Sequence, residues 1–127
     1  MIQRILAFAA AAGIAIAAAA PAGAADLEAG EKVFKKCKAC HTIEADGKNK
    51  IGPNLHGVLG REAGTMEGFK YSKAMAEAGI TWDEDRLRQY LADPKAYIEG
   101  NKMAFPGLKD EADRENVIAY IKQESGE

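Results

Sequence analysis

Apolar residues recur at helical spacing from residue 26 onward. The first such segment begins at Asp26, which can cap a helix, and it places Leu27, Gly30, Phe34 and Cys37 on one face. A glycine within this face costs about 1 kcal/mol relative to alanine, a cost that makes sense where another backbone passes close. The pattern predicts an N-terminal helix whose buried face carries Cys37.

Four further helices are predicted in the second half of the chain. Residues 72–78 form a short amphipathic segment, and Thr81-Trp82-Asp83-Glu84 fits a capping box that opens a helix ending at Asp93. Pro94 suits the first turn of another short helix, and the last helix runs from about residue 110 to 123. Because no segment alternates as a strand would, the fold class predicted is all-α.

Residues 42–69 lack any sustained period and contain six glycines in 28 residues. Loops of this length are uncommon in a compact domain unless something other than secondary structure organises them. A large flat apolar cofactor would do so, because glycine permits both the turns and a close approach of backbone to the cofactor. We therefore expect about five helices and a long Gly-rich loop wrapped around one bound group.

The pentapeptide Cys37-Lys38-Ala39-Cys40-His41 indicates what that group is. In a Cys-x-x-Cys-His motif two thiols attach a c-type haem covalently and the adjacent imidazole ligates the iron. A thioredoxin-like pair would need βαβ patterning, a structural zinc site would need four ligands, and a disulfide would leave the adjoining His41 unexplained. The motif predicts one haem c attached through Cys37 and Cys40, with His41 as an axial ligand.

Residues 1–25 have the features of a cleavable signal peptide. One charged residue, Arg4, precedes an apolar, alanine-rich run, and Ala22-Gly23-Ala24 supplies small residues for cleavage after Ala24 or Ala25. The alternative, a membrane anchor, fits less well because the run is only weakly hydrophobic. We expect export to the periplasm and one domain over residues 26–127, not membrane-anchored after cleavage. It would carry 16 Lys and Arg against 19 Asp and Glu, which argues against a nucleic-acid partner.

The second axial ligand must come from a histidine or a methionine. His56 follows Pro53 by only three residues, and Pro53 is a plausible carbonyl acceptor for the ring of His41, so His56 would be too close to reach the opposite side of the iron. Met75 lies in a predicted helix, where methionine more often packs, and Met66 is a weaker rival. Met103 lies in an irregular segment between Gly100 and Pro106 and is favoured.

These motifs together resemble class I cytochromes c, close to mitochondrial cytochrome c and bacterial cytochromes c2, over essentially the whole domain. The residues that carry the resemblance are Cys37 to His41, Gly52 to Gly57, Gly68 to Tyr71, Gly79 to Trp82, Tyr90-Leu91 and Lys102 to Phe105. The resemblance implies His41 and Met103 as iron ligands, Pro53 as the acceptor that orients His41, and the following residues around the haem: Arg61, Tyr71 and Trp82 at the propionates, Tyr90 near the methionine sulfur, and Phe105.

The resemblance also implies a docking face, because Lys36, Lys50, Lys95, Lys102 and Lys109 match lysines that ring the haem edge in the family. The chain departs from the family pattern in three ways: it is not strongly basic, Met75 replaces a residue that is often polar, and Asn101 replaces a common threonine.

Two filled axial positions leave no open site for a substrate, so the resemblance implies an electron carrier and not an enzyme. We expect a soluble, monomeric, periplasmic carrier of single electrons. It would link a cytochrome bc1 complex to a terminal oxidase or a photosynthetic reaction centre. The rival hypothesis is a haem enzyme or sensor whose sixth ligand is labile.

Overall fold

Five helices joined by irregular segments form the regular structure of the part of the chain described, residues 9–14 and 24–127 of a computed structural model. Most of the expected signal peptide, residues 1–25, lies outside the described residues. Within these ranges there is no strand, only one isolated antiparallel bridge between Glu62 and Thr81. The all-α prediction is therefore confirmed, with α1 (Leu27–Lys38), α2 (Lys73–Ala76), α3 (Glu84–Ala92), α4 (Pro94–Tyr97) and α5 (Glu111–Glu124).

Side-chain caps define where the helices begin. Asp26 accepts a hydrogen bond from the Ala29 N–H at the start of α1, and Asp110 caps α5 in the same way. The capping box predicted at Thr81 is wrong: Asp83 caps α3, because the backbone of Thr81 is paired with Glu62. The predicted segment 72–78 is helical only over α2, which Ser72 caps.

The crossing of α1 and α5 depends on the absence of a side chain at Gly30. A Cβ there would lie 2.1 Å from the carbonyl oxygen of Asn116 on α5, so only glycine lets the two backbones come this close. Phe34, which is fully buried, packs against Tyr120 with ring centroids 5.3 Å apart. Leu27, which was expected on the buried face, is exposed.

A second contact joins α3 to α5 through charged groups. Arg88 forms ion pairs with Glu115 on α5 and with Asp85 on its own helix, and Lys122 lies 3.0 Å from Glu84. The core between these helices is completed by buried Leu87. Among the described helices, none is long and apolar enough to cross a bilayer.

Candidate functional site

One cleft collects most of the residues that the sequence singled out. It opens between the end of α1, the irregular segment after it, α3 and the segment that follows α4. The predicted residues that line it are Lys36, Cys37, Cys40, His41, Pro53, Arg61, Tyr71, Trp82, Tyr90, Lys102, Met103 and Phe105.

The last turn of α1 presents the two thiols to this cleft. The N–H groups of Cys40 and His41 donate to the Cys37 carbonyl at 3.0 and 2.8 Å, so the chain turns tightly through the motif. Both thiols are free and half-buried. Burial raises the pKa of Cys37 to about 11, which keeps this thiol neutral at pH 7. Catalytic redox cysteines instead have lowered pKa values, so a thioredoxin-like role is disfavoured.

The imidazole of His41 is fixed from two sides. Its Nδ1 lies 2.7 Å from the Pro53 carbonyl oxygen, which can only accept a hydrogen bond, so Nδ1 carries the proton. Gly52 packs against the ring, and a Cβ there would lie 2.3 Å from Cε1. Burial lowers the pKa of His41 and favours the neutral ring. The lone pair of Nε2 is therefore available to a metal.

Tyr90 contacts Met103 from within the buried core. Its hydroxyl group donates to the Met103 sulfur across 3.6 Å, and burial raises the pKa of Tyr90 to about 12, so it remains a donor at neutral pH. The ring of Tyr90 packs against Trp82 and Tyr97, with centroids 5.0 and 6.2 Å away. These contacts hold the sulfur on a rigid aromatic support.

Asn101 fixes the backbone around Met103 and was not singled out as a site residue from the sequence. This side chain is buried, its Oδ1 accepts from the Met103 N–H at 2.9 Å, and its Nδ2 donates to the carbonyls of Pro94 and Ile98 at 2.7 and 2.8 Å. Asn101 thus ties the methionine segment to α4. The only sequence signal that pointed to it was its departure from the family pattern, in which this position is commonly a threonine.

The other possible axial ligands differ in position. His56 and Met66 are not among the cleft residues, and Nδ1 of His56 lies 3.0 Å from the Ile43 carbonyl. Met75 does line the cleft, although it belongs to α2. Two thioethers, those of Met75 and Met103, therefore face the same space as His41.

One positive charge, the guanidinium of Arg61, lines the cleft. The guanidinium of Arg61 donates to the Asn54 carbonyl at 3.1 Å, and no described carboxylate lies within ion-pair distance of it. Burial lowers the pKa of Arg61, so the charge is held there at a cost in desolvation. An anionic group of a bound cofactor would offset this cost. Tyr71, whose hydroxyl accepts from the Met66 N–H at 3.0 Å, lies along the same cleft.

The predicted docking lysines are all exposed, but they do not all lie on the cleft. Lys36 and Lys102 line it. The ammonium groups of four of the five donate to backbone carbonyls: Lys50 to Lys38 at 2.8 Å, Lys95 to Asn101 at 2.6 Å, Lys102 to Lys70 at 2.5 Å and Lys109 to Ala92 at 2.9 Å.

The residues present fit a haem attached by thioethers. The cleft brings together two free thiols, an imidazole with a free Nε2, neutral thioether sulfur and an unpaired cation, set among apolar and aromatic side chains. These donors suit iron in a porphyrin, which needs one nitrogen or sulfur ligand on each face. A zinc site would instead need clustered His, Cys, Asp or Glu, and the described residues hold no group of three or more.

Comparison with known proteins gives the same assignment. Residues 27–125 match the family described as cytochrome c. The chain is 54% identical over 107 residues to cytochrome c2 of Blastochloris viridis, covering 84% of each chain. It is 61% identical over 89 residues to cytochrome c2 iso-2 of Magnetospirillum fulvum, covering 70% of this chain and 92% of that relative. The solved structure of cytochrome cH from Methylobacterium extorquens is similar, with a TM-score of 0.73 and 47% identity over 77% of this chain and 98% of that one. The chain therefore belongs to the cytochrome c family, whose members are electron-transfer proteins with a covalently attached haem c.

Proposed function

We propose that this protein carries single electrons in the periplasm, as a monomer, from a cytochrome bc1 complex to a terminal oxidase or a photosynthetic reaction centre. The observation that carries the proposal is the single cleft in which both thiols, the imidazole of His41 and the sulfur of Met103 meet. Several similar proteins are named cytochrome c2, which supports a bacterial carrier of this kind.

Cys37 and Cys40 would attach the haem, and His41 and Met103 would ligate its iron. The bound group supplies a centre that changes between ferric and ferrous forms. With His41 and Met103 both holding the iron, no coordination site would be left for a substrate, and Met/His ligation would raise the reduction potential. A methionine and a histidine that keep their places in both forms limit the reorganisation that accompanies electron transfer.

The surrounding side chains would keep this arrangement fixed and dry. Pro53 orients His41 and strengthens it as a ligand by accepting its Nδ1 proton in a hydrogen bond. Tyr90 holds the sulfur of Met103. Arg61, with Tyr71 and Trp82 beside it, would receive the acidic propionate groups. Phe105, which also lines the cleft, would exclude water near the methionine.

The lysines Lys36, Lys50, Lys95, Lys102 and Lys109 would orient the encounter with a partner. The net charge of the whole chain is −2, so long-range attraction to an acidic partner is weak while local positive groups still select the orientation. Four of these lysines are held by backbone carbonyls, which reduces the entropy lost when they pair with a partner.

Steady-state turnover tests the function directly. The mature holoprotein should be reduced by quinol in the presence of a purified cytochrome bc1 complex and reoxidised by a cytochrome c oxidase. The double reversal Lys36→Glu with Lys102→Glu should raise the KM of both reactions, more so at low salt. The matched double reversal Lys32→Glu with Lys35→Glu changes net charge equally on the outer part of α1. Equal effects of the two pairs would contradict a local docking face, and absence of turnover by the unaltered protein would overturn the proposed function.

The periplasmic location has its own test, which is the mass of the exported protein. Expression of the full chain in a bacterium with a haem c maturation system should yield a periplasmic holoprotein that begins at Ala25 or Asp26. Retention of residues 1–25 in the membrane fraction would overturn the proposal of a cleaved signal peptide.

A further inference from the structure

We propose that Asn49 strengthens His41 as an iron ligand by polarising the peptide bond between Pro53 and Asn54. Asn49 is a positioning residue in this scheme, because it acts on the imidazole only through that peptide. The inference rests on the proposed ligation of the iron by His41, and it concerns how strongly that ligand donates to the metal.

One peptide unit carries two hydrogen bonds that point in the same direction. The carbonyl of Pro53 accepts from Nδ1–H of His41 at 2.7 Å, and the N–H of the same peptide, which belongs to Asn54, donates to Oδ1 of Asn49 at 2.9 Å. A peptide whose N–H donates a hydrogen bond carries more negative charge on its oxygen, so the bonds in such a chain strengthen one another. Asn49, the peptide and the imidazole therefore form one hydrogen-bonded chain.

The amide group of Asn49 is oriented from its other end by a distant part of the chain. Its Nδ2 donates to the carbonyl of Glu67 at 3.0 Å. A carbonyl can only accept and a backbone N–H can only donate, so the two partners independently place the nitrogen toward Glu67 and the oxygen toward Asn54. The acceptor for the Asn54 N–H is thus fixed in position and in orientation.

Burial of Asn54 prevents solvent from taking over the role of Asn49. Asn54 is only 4% exposed, and its side chain is itself paired with Thr42 and with the Glu44 carbonyl. A buried N–H that loses its protein partner is left unpaired. Removal of the Asn49 amide should therefore reduce the negative charge on the Pro53 oxygen.

The chemical consequence falls on the redox equilibrium of the iron. A stronger hydrogen bond at Nδ1 makes an imidazole a stronger donor at Nε2, and stronger donation stabilises ferric relative to ferrous iron. Asn49 would therefore lower the reduction potential and offset part of the rise that Met103 contributes. The alternative is that Asn49 only ties its loop to Glu67, which predicts a loss of stability with no effect on His41.

The test replaces Asn49 by leucine, which has a similar volume and neither donates nor accepts a hydrogen bond. Polarisation changes the strength of a neighbouring hydrogen bond by about 10 to 30%, so the effect should be modest. In Asn49→Leu the equilibrium constant for reduction by a small-molecule mediator should rise about threefold, which is about 30 mV for one electron. The Nδ1 proton of His41 should move upfield in the NMR spectrum of the ferrous holoprotein, as expected when its hydrogen bond weakens.

Two control variants separate this effect from loosening of the loop. Thr42→Val also removes two hydrogen bonds, one to the Lys48 carbonyl at 2.8 Å and one from the Asn54 side chain at 2.7 Å, but it leaves the Asn54 N–H paired. It should lower the melting temperature about as much as Asn49→Leu and leave the potential and the Nδ1 resonance unchanged. Asn49→Asp loses the bond to Glu67 but keeps a charged acceptor, so its Nδ1 resonance should move downfield.

Three results would each reduce Asn49 to a loop tie and overturn the inference: an unchanged potential and Nδ1 resonance in Asn49→Leu, an equal change in Thr42→Val, or an upfield shift in Asn49→Asp. None of them would affect the electron-carrier function, because these measurements need no partner protein. Failure of that function would appear as absence of turnover of the unaltered protein with the bc1 complex. If the His41 resonances of the unaltered protein are not shifted by the haem, the ligand assignment and the inference fail together.

Discussion

Replacing Asn101 by alanine tests how the methionine segment is held in place. The change removes three hydrogen bonds from a buried side chain: one to the Met103 N–H and two to the carbonyls of Pro94 and Ile98. Each such bond contributes about 1 kcal/mol net, so the segment should lose about 3 kcal/mol of stabilisation if all three break when it opens. If only the bond to Met103 breaks on opening, the loss should be about 1 kcal/mol.

Binding of imidazole to the ferric holoprotein measures this opening. An exogenous ligand competes for the position of Met103, so its apparent affinity rises with the population of the open segment. A loss of about 1 kcal/mol corresponds to an increase of about fivefold in imidazole affinity, and a loss of about 3 kcal/mol to an increase of about 150-fold. The increase should appear in a spectrophotometric titration at neutral pH, together with a weakened Met–Fe charge-transfer band.

Asn54 provides a matched control. It is equally buried, its Oδ1 accepts from the His56 N–H at 3.0 Å, and its Nδ2 donates to Thr42 and Glu44 at 2.7 and 2.9 Å. Asn54→Ala should lower the free energy of unfolding by a similar amount but leave imidazole affinity unchanged. If the two variants alter imidazole affinity equally, or if Asn101→Ala does not alter it, the assigned role of Asn101 is refuted.

Three further predictions concern stability. Replacing both Cys37 and Cys40 by alanine should give a largely unfolded chain by far-UV circular dichroism, because the long glycine-rich loop then has no attached cofactor to pack on, and a cooperative native-like melt would contradict this. Gly30→Ala should lower the melting temperature by several degrees, because its Cβ would lie 2.1 Å from a backbone oxygen of α5; an unchanged Tm would refute the close crossing. The hydrogen bond from Arg88 lowers the pKa of Glu115, so this pair should stabilise the fold above the ordinary glutamate pKa of about 4.3 and lose that effect as the pH falls through the lowered pKa. Both partners are partly exposed, so the pair contributes less than about 1 kcal/mol to the free energy of unfolding. In Arg88→Met, the free energy of unfolding should therefore fall by that much less on acidification than in the unaltered protein, and an unchanged pH dependence would contradict the assignment.

Local chemistry made several features predictable from the sequence. Asp26 caps α1 as expected, and α5 begins close to the expected position, with Asp110 as its cap. The glycine in the first helix indicated a close backbone, which is Asn116 on α5. In each case the signal and the interaction lie within a few residues of each other or follow directly from helical spacing.

Features that depend on distant pairing were missed or mistaken. Thr81 resembled a helix cap, but its backbone pairs with Glu62, nineteen residues earlier, and the cap passes to Asp83. The role of Asn101 depends on two carbonyls that the turn after α4 brings next to the methionine segment.

Met103 as the sixth ligand of the iron is the central assignment for this protein, and one spectrum of the ferric holoprotein tests it. The unaltered protein should show the weak charge-transfer band at the red end of the spectrum that reports a Met–Fe bond. Met103→Ala should lose the band and bind imidazole or cyanide readily, whereas Met75→Leu should keep it, because a packing role tolerates a change of similar volume. A band that survives in Met103→Ala and disappears in Met75→Leu would contradict the assignment and place the ligand on α2.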